Sequence, residues 1–186
     1  SGTAIATNAG TIRATSVTIS DTQGDGIIVG GNQQALLEMT SSTITNSQQS
    51  GIINNGDGSI RLTSSQVSGS AVNGIHTTTG SSGSVNLDQT LINGSLASGG
   101  VSQRGIFMEG TAGVTTQNAV ISNALDGIEL TGNARLEMNG GGVRTITNDA
   151  ILLAPIAPGV STDGSAQLTS VAISSAHISL LPSIYP

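Results

Sequence analysis

The sequence predicts an all-β chain wound into a parallel β-solenoid of about seven rungs, with three short strands in each rung. Three observations predict this fold: an internal repeat, a period-two alternation within each repeat, and an almost purely aliphatic set of core residues. Of 186 residues, 36% are hydrophobic, but only 1% are aromatic and 9% are charged. With one Phe, one Tyr and no Trp, the core has to be built from stacked Ile, Leu, Val and Ala side chains.

The repeat is clearest at an isoleucine that opens a short apolar strand, usually directly after a glycine. This isoleucine recurs every 22 to 31 residues, as Ile5, Ile27, Ile52, Ile75, Ile106, Ile128, Ile151 and Ile178. A second apolar column lies upstream, as Ile12, Leu37, Ile60, Val85, Val114, Leu136 and Ala166. A third follows the second by seven residues, as Ile19, Ile44, Val67, Ile92, Ile121, Val143 and Ile173. Three columns predict three strands per rung.

Alternation within each piece is typical of a strand with one buried face. In the first such piece, Ile12 and Ala14 are expected to point inward and Arg13 outward. Pieces this short are not stable alone, so each is predicted to pair with its copy in the next rung, about 4.8 Å away.

Taken in order, the chain is predicted to form one domain over 1–186 that begins on the last strand of an incomplete rung, as an excised piece of a longer solenoid would. The full rungs are predicted at 11–33, 34–58, 59–83, 84–112, 113–134 and 135–165, followed by a last turn. Rung 84–112 carries an insertion near 94–103, between its second and third strands. Rung 135–165 carries a protruding loop near 154–162, because Pro155 and Pro158 cannot continue a ladder.

The segment from Ile121 to Leu130 carries a resemblance to a known fold. It reads Ile-Ser-Asn, then two further residues, then Asp-Gly-Ile-Glu-Leu. It resembles the repeat of right-handed parallel β-helices, the pectate-lyase-like superfold, whose three-sheet rung fits better than the shorter rung of left-handed helices. The resemblance implies a right-handed, single-stranded parallel β-helix. This superfold includes polysaccharide lyases, hydrolases, phage tailspikes and bacterial surface adhesins, so it predicts the fold more strongly than the function. The chain looks most like an adhesin or autotransporter-type passenger segment.

Charge and motif content disfavour several function classes. The net charge is −6 and the five basic residues are all arginine, which disfavours nucleic acid and anionic membrane surfaces as partners. No apolar run reaches the ~18 residues of a membrane span. With no zinc-ligand spacing, P-loop or nucleophile elbow in the sequence, we predict neither a metal nor a cofactor.

One outward column is predicted to be a contact surface. The outward neighbours of the repeated isoleucine are Ile28, Ile53, His76, Phe107, Glu129 and Leu152. Four of these six are large and apolar on a face expected to be wet, and such patches usually mark a contact surface. The predicted binding residues are Phe107 as the anchor, with Ile28, Ile53, His76 and Leu152. Alternatively, the insertion at 94–103 or the loop at 154–162 folds over this column.

The same face holds the best catalytic candidates, Glu109, Glu129 and His76. Glu109 and Glu129 are expected to be diagonal neighbours, about 7–8 Å apart at Cα, which is within the range of an inverting glycosidase's carboxylate pair. Since the sequence has no Asp cluster and no aromatic platform for sugar rings, we interpret Glu109 and Glu129 as ordinary solvated surface.

Two further outward patterns are interpreted as structural. Arg13, Glu38 and Arg61 fall at equivalent positions of neighbouring rungs and predict an ion-pair ladder. Polar residues that follow the third column predict stacked corners, namely Asp21, Asn46, Asn93 and Asn123.

The leading functional hypothesis is a non-catalytic module on the bacterial outer surface or in the extracellular space, acting in adhesion to a protein or glycan receptor. The alternatives are a polysaccharide-active hydrolase or lyase, and a structural spacer or assembly unit that associates end to end or face to face.

Overall fold

The computed structural model describes residues 2–31, 35–94, 104–155, 164–174 and 177–180. Within them the secondary structure consists of 22 short strands. In chain order these are β1 (Ile5–Thr7), β2 (Thr11–Thr15), β3 (Thr18–Ser20), β4 (Ile27–Val29), β5 (Leu36–Thr40), β6 (Thr43–Thr45), β7 (Ile52–Asn54), β8 (Ser59–Thr63), β9 (Gln66–Ser68), β10 (Asn73–Thr77), β11 (Ser84–Asp88), β12 (Leu91–Asn93), β13 (Arg104–Met108), β14 (Gly113–Gln117), β15 (Val120–Ala124), β16 (Asp126–Thr131), β17 (Arg135–Asn139), β18 (Gly142–Ile146), β19 (Asp149–Ala154), β20 (Ser165–Thr169), β21 (Ala172–Ser174) and β22 (His177–Leu180).

The strands form three parallel sheets, each of which takes every third strand. Sheet A runs β1-β4-β7-β10-β13-β16-β19-β22, sheet B runs β2-β5-β8-β11-β14-β17-β20, and sheet C runs β3-β6-β9-β12-β15-β18-β21. β1 is therefore followed by seven successive triplets, which confirms the predicted solenoid of about seven three-strand rungs.

The predicted columns are confirmed residue by residue. In sheet A, Ile5 pairs with Ile27, and the register continues through every repeated isoleucine to Ile178. The column from Ile12 to Ala166 in sheet B and the column from Ile19 to Ile173 in sheet C are equally in register. Aliphatic spacing therefore determines which residues stack inside the coil.

The core is an aliphatic column between the three sheets. Ile27, Ile52, Ile75, Ile106 and Ile128 have no exposed surface. Glycine directly before most of these isoleucines allows neighbouring rungs to approach closely. A Cβ placed on Gly127 would lie 2.5 Å from the carbonyl oxygen of Ala150 and from Cγ1 of Val143, so any side chain there would push two rungs apart.

The corners of the coil hold residues in the left-handed conformation. Asp21, Asn46 and Asn123 have φ of 56°, 56° and 54°, which Asn and Asp tolerate better than most residues. The amide of Asn46 donates to Asp21 Oδ1 at 3.0 Å, and that of Asn123 donates to Asn93 Oδ1 at 2.6 Å. The predicted position of Asn93 was wrong by one residue, because Asn93 ends β12 in register with Ser122 and not with Asn123.

The predicted ion-pair ladder on sheet B is confirmed. Arg13, Glu38 and Arg61 are in register on β2, β5 and β8. Arg13 Nε lies 2.6 Å from Glu38 Oε2, and Arg61 Nη1 lies 3.6 Å from Glu38 Oε1.

The carboxylate of Asp57 links two turns outside the sheets and leads to a prediction about pH. The hydroxyl and the backbone N–H of Ser82 donate to Asp57 Oδ1 at 2.7 and 3.1 Å, and these hydrogen bonds lower the pKa of Asp57. A lowered folded-state pKa means that this contribution to stability is complete above the ordinary aspartate value and is lost as pH falls through the lowered one.

We expect Ser82→Ala to raise the pKa of Asp57 toward its ordinary value, measured by NMR titration of the carboxyl carbon. An unchanged pKa in Ser82→Ala would contradict the hydroxyl's role.

The two predicted irregularities fall where the description is incomplete. Of the insertion near 94–103 only Gly94 is described, and it comes directly after β12. Of the loop near 154–162, Ala154 and Pro155 are described. The remaining residues of both segments lie outside the described part of the chain.

Candidate functional site

The outward column of sheet A is the candidate site. Ile28, Ile53, His76, Phe107, Glu129 and Leu152 are in register on β4, β7, β10, β13, β16 and β19. We call this column the outer stripe. The sequence predicted its membership and order correctly, because inward and outward positions alternate along each strand.

The members of the outer stripe are less exposed than expected. Five of them are half-buried, and Glu129 is buried, with 8% of its surface exposed. Among the described residues, the large hydrophobic side chains that are exposed are Val17 and Ile178, neither of which is in the stripe. Neighbouring rungs lie only about 4.8 Å apart, so side chains in one outward column cover part of each other. The binding role assigned to these residues stays a prediction.

Phe107 lies at the centre of a stack of three side chains. The rings of His76 and Phe107 are nearly parallel, with centroids 4.9 Å apart and an interplanar angle of 16°. The guanidinium carbon of Arg104 lies 4.3 Å from the centroid of the Phe107 ring. His76 is on the preceding rung, whereas Arg104 bonds to Glu129 on the following one. Phe107 therefore contacts His76 of the preceding rung and, through Arg104, is linked to Glu129 of the following one.

Arg104 and Glu129 form an ion pair that is largely shielded from water. Arg104 Nε donates to Glu129 Oε2, and the side chains of Arg104 and Glu129 are 22% and 10% exposed. Arg104 is also in register with Asp126, which places a second acid one rung away. The guanidinium thus contacts an aromatic face and a carboxylate at the same time, and cation–π attraction adds to the ion pair.

Glu109 follows β13 directly and is held by two side chains. His76 Nε2 lies 2.9 Å from Glu109 Oε2, and the hydroxyl of Thr79 donates to Glu109 Oε1 at 2.9 Å. The backbone N–H of Glu109 donates to the carbonyl of Thr77 at 3.2 Å and lies 3.1 Å from its hydroxyl oxygen. Both carboxylate oxygens therefore have a polar partner.

The interpretation as ordinary solvated surface was wrong for Glu129, which is buried and paired with Arg104, whereas Glu109 is half-buried and its carboxylate contacts His76. The structure does bring the three catalytic candidates onto one face. His76 contacts Glu109, while Glu129 lies one rung beyond Phe107. The face therefore holds two pairs, His76 with Glu109 and Arg104 with Glu129. The ring of Phe107 contacts both His76 and Arg104.

Sequence reasoning missed the role of Arg104. No partner was assigned to Arg104 from the sequence. A usable signal was present, since Arg104-Gly105 stands where the neighbouring rungs have Asn73-Gly74 and Asp126-Gly127. An arginine in that column could have been expected to seek an acid on the next rung.

Among the residues that the structure describes, no group of three His, Cys, Asp or Glu side chains could hold a metal ion. In that same part of the chain, no helix is long and apolar enough to cross a membrane.

Comparison with known proteins gave one finding. A family model with the description right handed beta helix region matches residues 2–154. No curated protein and no solved structure matches the chain.

Proposed function

Because this chain belongs to the family of right-handed β-helix regions, we propose that it is a non-catalytic binding module of a bacterial cell-surface or secreted protein, acting in adhesion. The observation that carries the proposal is the outer stripe. It aligns four large apolar side chains, Ile28, Ile53, Phe107 and Leu152, in one register column. Aligned apolar side chains on an outer face favour a protein receptor that presents apolar groups of its own.

The bonding of the two glutamates supports a binding role over a catalytic one. A pair of catalytic carboxylates needs room for a sugar and a water between them. Here the carboxylate of Glu129 is taken up by Arg104 and is nearly inaccessible, and that of Glu109 is bonded to His76 and Thr79. Both acids therefore stabilise the face on which the stripe lies.

A polysaccharide hydrolase or lyase is the second candidate function. The specific observation that favours it is the 2.9 Å contact between His76 and Glu109, since a histidine paired with a carboxylate is a common acid–base arrangement. Product release from acidic and neutral polysaccharides separates the two candidates. We expect no turnover by the parent protein, whereas turnover that is lost in both Glu109→Gln and Glu129→Gln would establish the enzyme.

The binding role predicts the effect of removing the central ring. Phe107→Ser should reduce binding of the fluorescently labelled protein to cell and extracellular-matrix surfaces at least tenfold, because aromatic anchors dominate contact energy. Flow cytometry and solid-phase binding would measure this loss, and thermal melting would show that the variant still folds.

Leu91→Ser is the matched control, because Leu91 is a half-buried apolar residue of an outward column on sheet C. It should leave binding unchanged. Equal losses in Phe107→Ser and Leu91→Ser, or full binding by Phe107→Ser, would contradict the assignment of the outer stripe as the contact surface.

A further inference from the structure

The outer face of sheet B carries a groove that the outer stripe does not include. Two adjoining cavities of about 350 and 200 Å³ lie on it, and both are lined by Arg61 and Thr63. Their walls are two outward columns in register, one from Arg13 to Thr115 and the other from Thr15 to Gln117. The two cavities adjoin at Arg61 and Thr63, and we call them together the sheet B groove.

The charges of the sheet B groove are arranged unevenly along its length. At one end Arg13 and Arg61 flank Glu38, which leaves one positive charge in excess within a chain of net charge −6. The two arginine side chains are 75% and 61% exposed. Toward the other end lies Asp88, on the rung after Arg61.

Both arginines keep donors for a ligand. A guanidinium has five N–H groups in a planar fork, and the contacts with Glu38 are made by Nε of Arg13 and Nη1 of Arg61. The remaining N–H groups can bind a carboxylate in the bidentate manner that arginine favours. The opposite wall offers the hydroxyls of Thr15, Thr40 and Thr63, which can bond to backbone amides.

The spacing of the groups fits an extended peptide. Arg13 and Arg61 are two rungs apart, or about 10 Å, which corresponds to three residues of extended chain at ~3.3 Å each. The whole groove spans five rungs, about 19 Å, which is the length of about six extended residues. The groove has no aromatic side chain on which a sugar ring could stack.

We infer that the sheet B groove binds an extended peptide of about six residues, with carboxylates at two positions three residues apart and a basic residue at the Asp88 end. This site is separate from the outer stripe and does not depend on the adhesive role proposed for it. Carboxylates of the peptide contact Arg13 and Arg61, the threonines bond to its backbone, and Asp88 selects its cationic end.

Fluorescence polarisation with a fluorescein-labelled peptide, Glu-Gly-Ser-Glu-Ser-Lys capped at both ends, tests the inference. We expect saturable binding that weakens as NaCl is raised, because exposed charges are screened. A permuted peptide of the same composition with adjacent glutamates should bind at least fivefold more weakly. Arg61→Gln should weaken binding about tenfold, since it leaves the Arg13–Glu38 pair in place.

Three variants make the assignment specific. Arg144→Gln removes an exposed arginine from sheet C and should change nothing. Asp88→Asn should abolish the preference for lysine over glutamine at the last peptide position. The Phe107→Ser variant should bind the peptide with the affinity of the parent protein, which separates this site from the adhesive role.

Several results would overturn the inference. They are the absence of saturable binding, equal affinity for the permuted peptide, an equal loss in Arg61→Gln and Arg144→Gln, and tighter binding of a galacturonate hexasaccharide than of the peptide. The last result would assign the groove to an acidic glycan.

Discussion

Replacing Ile128 with alanine is expected to lower the free energy of unfolding by about 2–5 kcal/mol. Ile128 has no exposed surface and stacks between Ile106 and Ile151 in the core column of sheet A. Alanine at this position loses the transfer free energy of the removed methyl and methylene groups and leaves a cavity that the stacked rungs cannot close. Urea unfolding, analysed as a shift of the midpoint at unchanged slope, would measure the loss.

The chain offers a control of the same residue type in the same column. Ile178 pairs with Ile151 on the last rung but is 52% exposed. Since about half of this side chain already contacts water, Ile178→Ala should cost less than about 1 kcal/mol. A similar cost at both positions would contradict a core centred on this column.

The repeat predicted the register of the three apolar columns. A one-residue slip would turn a strand's apolar side chains toward water. The spacing of Ile12, Ile19 and Ile27 therefore allows a single register for the strands of the first rung. The same argument holds for every later rung, including the one interrupted after Gly94. Position along the coil and direction of each side chain could therefore be read from the sequence.

The bonding of outward side chains could not be predicted in this way. Periodicity places Glu129 beside Phe107, but it does not say that Arg104, three residues before Phe107, extends along the outer face to reach that carboxylate. Such contacts depend on the rotamers of long side chains, which the repeat does not specify. The ladder from Arg13 to Arg61 was predictable because its members occupy the same position on successive rungs.

The Arg104–Glu129 pair should contribute more to stability than the ladder does. Arg104→Met leaves the carboxylate of Glu129, whose side chain is 10% exposed, without its cation, and we expect a loss of about 2–3 kcal/mol. This is below the full cost of breaking a buried pair, since some water still reaches both side chains. Glu129→Gln keeps an oxygen that can accept from Arg104, so it should cost less than Arg104→Met.

A double-mutant cycle separates the pair from the other contact of Arg104. Arg104→Met also removes the guanidinium from the face of Phe107, and that cost, about 0.5–2 kcal/mol, is the same with or without Glu129. In the double variant Arg104→Met/Glu129→Leu no charge is left unpaired, so we expect it to be more stable than Arg104→Met and to fall below the parent protein mainly by the lost contact with Phe107. The coupling energy from thermal or urea unfolding should then exceed 1 kcal/mol.

Arg13 and Glu38 provide the matched exposed pair for this comparison. Their side chains are 75% and 27% exposed, so the cycle built from Arg13→Met and Glu38→Leu should give a coupling energy of about 0–1 kcal/mol. Raising the salt concentration should reduce this value and leave that of Arg104 and Glu129 nearly unchanged, because shielded charges are screened less. Equal coupling energies with equal salt dependence would mean that Arg104 and Glu129 are as solvated as the ladder. The outer stripe would then be accessible to water, as the sequence predicted.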